Sequence, residues 1–174
     1  MEAGSKSSAR SSSDRETLAT KPGASRIRVR AVRIDDAARL VPLFASFYGA
    51  HFGESITEAA VARRLVRAET HETVVVAEVA GRLAGFASLR VTTSLDPTPY
   101  AELTELFVET DSRRLGVASR LVRYLEGIAR ERGASHVVVL TGQGNVEAQA
   151  FYRSAQYQDY SIAMRKSLKE RPPP

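Results

Sequence analysis

Arg113, Arg114, Leu115, Gly116, Val117, Ala118 and Ser119 form a short stretch whose residue types suit the holding of a phosphate. Apolar residues recur from Val117 through Leu121, Val122, Leu125, Ile128 and Ala129, the spacing of an amphipathic helix, and Gly133 stands where a C-terminal cap belongs. A helix N-terminus leaves backbone N–H groups unpaired and carries partial positive charge. Small residues at Gly116 and Ala118 let a ligand approach that backbone, and two arginines flank the approach. Such a cradle suits a pyrophosphate. The same residues also fit a plain strand-to-helix turn with a solvated arginine pair. Just upstream, Glu102 and Glu105 lie within a segment that reads as a strand. A glutamate in mid-sheet is seldom buried unpaired, so each is a candidate proton acceptor or a partner for an arginine at the rim.

The elements that must position these groups follow from periodicity and turn residues. Ile27 to Arg33 alternates apolar and basic residues, as a half-buried strand does. Asp35 or Asp36 caps a helix whose buried stripe is Ala37, Leu40, Val41, Phe44 and Phe47 or Tyr48, with a kink expected at Pro42. Ser55-x-x-Glu58 reads as a capping box for a second helix to Glu69. Thr73 to Val79 and Leu83 to Val91 form a hairpin about Ala80-Gly81, and a proline-containing loop from Thr92 to Tyr100 follows. Glu102 to Val108 is the strand that feeds the basic loop, through polar turn residues Glu109 to Ser112. Val137 to Thr141 is an apolar run, as in a buried strand of a βαβ unit, and Val146 to Ser154 a short helix. Tyr157 to Arg165 reads as a final strand or strand pair. This order implies an α/β protein with a central mixed sheet covered on both faces.

With 174 residues the chain suffices for one domain, expected over residues 26–168. Residues 1–25 are rich in Ser, Ala, Arg and Gly and read as a disordered tail, and 169–174 as a frayed end. The absence of cysteine excludes disulfides, thiolate metal sites and a cysteine nucleophile. No apolar run approaches a membrane span and the N-terminus lacks a secretory h-region, so a cytoplasmic protein without membrane contact is expected. The net charge of +5 is concentrated in the first thirty residues, which hold seven Lys or Arg and three Asp or Glu. The near-neutral remainder argues against a nucleic-acid partner.

Arg113-x-x-Gly116-x-Ala118 resembles the Q/R-x-x-G-x-G/A signature of the GNAT superfamily of acyl-CoA N-acetyltransferases, with Arg114 where many members have a second Gly. Asn145-x-x-Ala148-x-x-Phe151-Tyr152 is similar to the family's N-x-x-A-x-x-F-Y segment, and the resemblance covers about Ile27 to Lys166. It implies a mixed sheet of six or seven strands flanked by about four helices. It also implies acetyl-CoA as co-substrate and an amine acceptor. The absence of clustered His and carboxylate ligands predicts no metal, and the sequence leaves the oligomeric state open, with a homodimer through the last strands as one option.

Carried over to this chain, a bulge in the strand before the cradle splays it from the Val137 strand. Pantetheine then pairs with backbone groups of Leu106, Phe107 and Val108. The pyrophosphate rests on the amides of Arg114 to Ser119. Asn145 contacts pantetheine or orients its helix; as a plain N-cap it needs neither role. Tyr152 is the family's candidate donor to the CoA sulfur, and otherwise a core aromatic. A backbone N–H at or next to Val108 holds the oxyanion. Glu102 lies where the histone-acetyltransferase branch has its catalytic glutamate, and Glu105 where spermidine/spermine-type members often have an acid. Thr104 occupies a position that carries a catalytic glutamate in those enzymes. A water chain from Glu102 is the first choice of base. The acceptor pocket is expected from Phe44 to Phe52, the 92–100 loop, Tyr157 and Tyr160, with His51 as a pocket base or a solvated side chain. The leading expectation is acetyl transfer to a small primary amine. The alternatives are a protein lysine or N-terminal acetyltransferase and a non-catalytic acyl-CoA sensor.

Overall fold

The structure is a computed structural model and describes residues 27–168 except 94, 96 and 97; the expected tail, the frayed end and part of the 92–100 loop therefore lie outside the described residues. Among the described residues five strands form one sheet in the order β1 (Arg28–Ala31), β2 (Thr73–Val79), β3 (Arg82–Thr92), β4 (Tyr100–Val108), β5 (Val137–Val139). The first four pair antiparallel, and β5 joins β4 in parallel after a crossover through α3 (Val117–Glu131). The class is as expected, α/β with a mixed sheet, but with one strand fewer than the lower expectation. The missing element is Tyr157 to Arg165, which joins no ladder and is exposed from Gln158 onward. Its alternation of Tyr160, Ile162 and Met164 satisfies the period of a strand, and a period specifies a face without specifying a partner.

Each face of the sheet carries its own core. α1 (Ala37–Tyr48) and α2 (Glu58–Glu69) bury Leu40, Phe44, Phe52, Val61 and Leu65 against Val76, Phe86 and Phe107. α1 continues through Pro42, and Leu43 takes the buried place expected of Val41. The cap of α2 is Thr57, whose hydroxyl accepts from the Ala60 N–H at 3.2 Å, in place of the expected Ser55. On the other face α3 buries Val117, Leu121, Val122, Leu125 and Ala129 against Val75, Ala87, Leu89 and Leu103. α4 (Val146–Ser154) adds Tyr152 to that core. The hairpin turn is the expected Ala80-Gly81, both at positive φ, as a tight two-residue hairpin requires.

One ionic network fastens the start of α1 to the sheet. Arg30 of β1 donates to Asp36 at 2.7 Å and to Glu78 of β2 at 2.7 Å, and Arg39 of α1 reaches the same two carboxylates. Asp36 is 4% exposed and also accepts from the Arg33 N–H. The Arg30 guanidinium holds the Asp36 carboxyl below the usual carboxylate range. Among the described residues no helix is long and apolar enough to cross a membrane.

Candidate active site

β4 departs from regular alternation at one point, and the site is built around it. Ser88 of β3 faces Glu105, while Leu89 faces Leu103, so Thr104 is an extra residue with no partner on β3. A bulge turns both its residues toward one side, and Thr104 and Glu105 therefore share the α1/α2 face with Glu102 and Phe107. On its other edge β4 pairs with β5 only from Ala101 to Leu103. Beyond Leu103 the two strands part, and backbone groups of residues 104–108 on that side have no neighbouring strand. The expected bulge and splay are both present, and Leu106, Phe107 and Val108 line the opened side. The Val108 carbonyl already accepts from Arg113 Nε at 3.2 Å.

At the end of β4 a 3₁₀ turn, Thr110–Ser112, leads into the basic loop. Arg114 and Gly116 both hold positive φ, 62° and 85°. That pair of left-handed residues turns the chain into α3 with Gly116 as N-cap. A Cβ added to Gly116 would meet nothing within 4 Å, so the space in front of it is open. The first bond of the helix closes from the Arg120 N–H to the Gly116 carbonyl, 3.1 Å, which leaves the N–H groups of Val117, Ala118 and Ser119 ahead of the ladder. No side chain caps them. Arg113, Arg114, Leu115 and Gly116 are exposed, and Arg113 reaches Glu147 of α4 at 4.0 Å. An anion therefore has open backbone donors, a helix dipole and two guanidiniums at this corner.

Asn145 is the N-cap of α4, its Oδ1 accepting from the Ala148 N–H at 3.1 Å, which leaves its amide nitrogen to donate outward. Tyr152 is 8% exposed, and burial pushes its hydroxyl up to about 12, so the phenol stays protonated at neutral pH. It packs with Phe151 and Tyr157. Tyr152 also borders a groove of about 1030 Å³, which runs between β5, α4 and residues 157–163. None of residues 105–119 lines that groove, so it lies apart from the cradle.

The three polar residues of β4 have different surroundings. Glu102 is ion-paired with Arg90 of β3 at 2.5 Å, the rim pairing weighed for one of the two glutamates. Glu105 is half-buried, with the Tyr48 hydroxyl beside it. Burial raises its proton affinity above that of an ordinary glutamate, Tyr48 opposes the shift, and the charge of Glu72 adds to it. Thr104 donates to Glu72 Oε2 at 3.2 Å and so receives the Ser88 hydroxyl at 2.6 Å. Arg64 of α2 donates to the Phe52 carbonyl and lies 3.7 Å over the Phe52 ring. Phe47, Tyr48 and Phe52 complete an aromatic wall with Phe86 and Phe107. His51 is exposed. Tyr157 and Tyr160, expected in this pocket, instead contact Glu126 and His136 on the β5 side. Tyr48 belongs to the expected Phe44–Phe52 segment, whereas Arg64 of α2, Glu72 before β2 and Ser88 of β3 join the site without any local signature.

The splayed strand pair and the uncapped start of α3 are the arrangement that the resemblance implies. Residues 38–157 match the model of the acetyltransferase (GNAT) family, and the chain belongs to that family and is an acetyltransferase. It is 29% identical over 135 residues to the uncharacterized N-acetyltransferase YhfO of Bacillus subtilis (strain 168), spanning 76% of this chain and 91% of that protein. Its fold is similar to a transcriptional regulator from Bacillus halodurans C-125, at TM-score 0.72 and 17% identity over 82% of this chain and all of the other, 100%. It is also similar to an aminoglycoside acetyltransferase from an uncultured soil metagenomic sample, solved with sisomicin, at TM-score 0.67 and 19% identity over 82% and 97% of the two chains.

Proposed function

We propose that the chain transfers the acetyl group of acetyl-CoA to the primary amine of a small cationic molecule, with Glu105 as the base. The observation that carries this reading is the half-buried Glu105 on the aromatic face, beside the splayed end of β4, with a raised proton affinity. A carboxylate so tuned accepts a proton from an ammonium more readily than an ordinary glutamate does. Glu102 was the first choice from sequence, but its pairing with Arg90 occupies it. The acetyltransferase solved with sisomicin supports a small-molecule acceptor through fold alone.

In this reading the loop Arg113 to Ser119 holds the pyrophosphate, and backbone groups of Leu106, Phe107 and Val108 hold the pantetheine arm, assisted by the Asn145 amide nitrogen. Glu105 takes a proton from the acceptor ammonium. The freed amine attacks the thioester carbonyl, and a backbone N–H near Val108 stabilises the oxyanion. The C–S bond then breaks as Tyr152 gives its proton to the departing thiolate, and the proton still carried by the new amide nitrogen returns through water to the Tyr152 phenolate.

The test is a screen of free amines and lysine peptides, following release of CoA thiol. Small amines should be acetylated, with a rate that falls on the acid side at a pH above the ordinary carboxylate range. Glu105→Gln should lower kcat by roughly 10²-fold and remove that acid limb. Transfer to peptides alone, or an unchanged profile in the variant, would overturn the assignment.

A further inference from the structure

We propose that Glu72 determines acceptor specificity, holding a second cationic group of the acceptor beside the amine that Glu105 deprotonates; this rests on the acceptor-pocket reading above. Glu72 lies just before β2, outside every motif in the chain. It reaches the site through Thr104, which shares the α1/α2 face with Glu102 by strand alternation and donates to Glu72 Oε2 at 3.2 Å, while the bulge brings Glu105 onto that same face. Ser88, 3% exposed, fixes the Thr104 hydroxyl from behind at 2.6 Å. The bulge of β4 thus aims Glu105 to the side on which Thr104 anchors Glu72.

The charges on this face do not balance locally. Glu102 has Arg90. Among the described residues no Lys, Arg or His stands within ion-pair distance of Glu72 or Glu105. The cation that Glu105 feels is Arg64, which is committed to the Phe52 carbonyl and ring. Glu72 and Glu105 are half-buried carboxylates: Glu72 accepts from the Thr104 hydroxyl, and Glu105 lies beside Tyr48 of the aromatic wall. A half-buried carboxylate gains most from a cation that also fills its apolar surroundings. The reacting amine must end neutral, so it satisfies one carboxylate at most. An acceptor with a second ammonium satisfies both.

The experiment compares putrescine and cadaverine with butylamine and pentylamine as acceptors for the full chain at saturating acetyl-CoA. Wild type should favour each diamine over its monoamine in kcat/KM by roughly tenfold or more. Glu72→Gln keeps an oxygen for Thr104 and removes the charge. It should raise KM for the diamines by roughly tenfold, with kcat and the monoamine constants within about twofold. Glu72→Asp, which keeps the charge, should retain the diamine preference. The acid limb set by Glu105 should also move to lower pH in Glu72→Gln, because Glu72 contributes to the raised proton affinity there alongside Tyr48 and Arg64. Equal use of both amine classes, or a variant that weakens both alike, overturns the role of Glu72 and leaves the small-amine reading intact. Transfer to lysine peptides but to neither amine class overturns that reading and this one together.

Discussion

Arg114 holds a left-handed backbone angle, φ 62°, at the mouth of the cradle. That conformation costs a residue with a Cβ roughly 1 kcal/mol, and glycine adopts it freely. A strained position kept for a charged side chain points to work done by the charge. Arg114→Gly should therefore raise stability by about 1 kcal/mol in denaturant melts and weaken acetyl-CoA roughly tenfold by calorimetry. Stability and affinity that fall together would place Arg114 among structural residues. Tyr152 is separable in another way. Tyr152→Phe keeps the ring packed against Phe151 and Tyr157, so melting and acetyl-CoA binding should hold. Its kcat should fall by roughly 10²-fold, since only the transition state feels the lost proton. A kcat within about twofold of wild type, with chemistry rate-limiting, would leave Tyr152 a core aromatic. Arg113 to Ala118 and Asn145 to Tyr152 are legible in sequence because each lies within one turn and one helix. Glu72, Ser88 and Arg64 are not, since each comes from a different element and meets the others only when the helices pack on the sheet.

The entry to α1 depends on Asp36, a buried carboxylate shared by Arg30, Arg39 and the Arg33 N–H. Removing one member of a buried ionic cluster leaves the others uncompensated, at a cost of about 3 kcal/mol. Asp36→Asn should lower stability by that order in urea titrations monitored by circular dichroism. The same network sets an acid limit. The folded-state affinities of Asp36 and Glu78 for protons are depressed, so the stabilisation is complete above the unfolded carboxylate range. It is lost as pH falls below about 4. Wild type should lose stability there more steeply than Asp36→Asn; parallel curves would remove the network as the cause. Element boundaries were read well where a turn residue marks them, as at Ala80-Gly81 and Gly133, both left-handed glycine-containing turns. The bulge left no mark of its own, because Thr104 and Glu105 are both ordinary polar strand residues. Residues 157–165 were read as a strand from alternation alone, and β5, only three residues long, offers that segment little edge to pair with.

The molecule as a whole was legible as an α/β acetyltransferase because the order of its elements and two local motifs agree. How the sheet divides the chain was not legible. The core beneath α1 and α2 is made of Ala37 to Phe107, with Val32 packed against it, and draws nothing from beyond β4. The opposite core needs Val117 to Tyr152. Strands β2, β3 and β4 meet as sequential hairpins, whereas β5 must wait for α3 to cross over. Contacts close in sequence form early and the crossover forms late. A chain leaving the ribosome can thus close its α1/α2 side, with Glu72, Ser88, Thr104 and Glu105 already set in register, before α3 has emerged. Synthesis in this order completes the half that would select the acceptor first, and the half that would bind acetyl-CoA is assembled upon it.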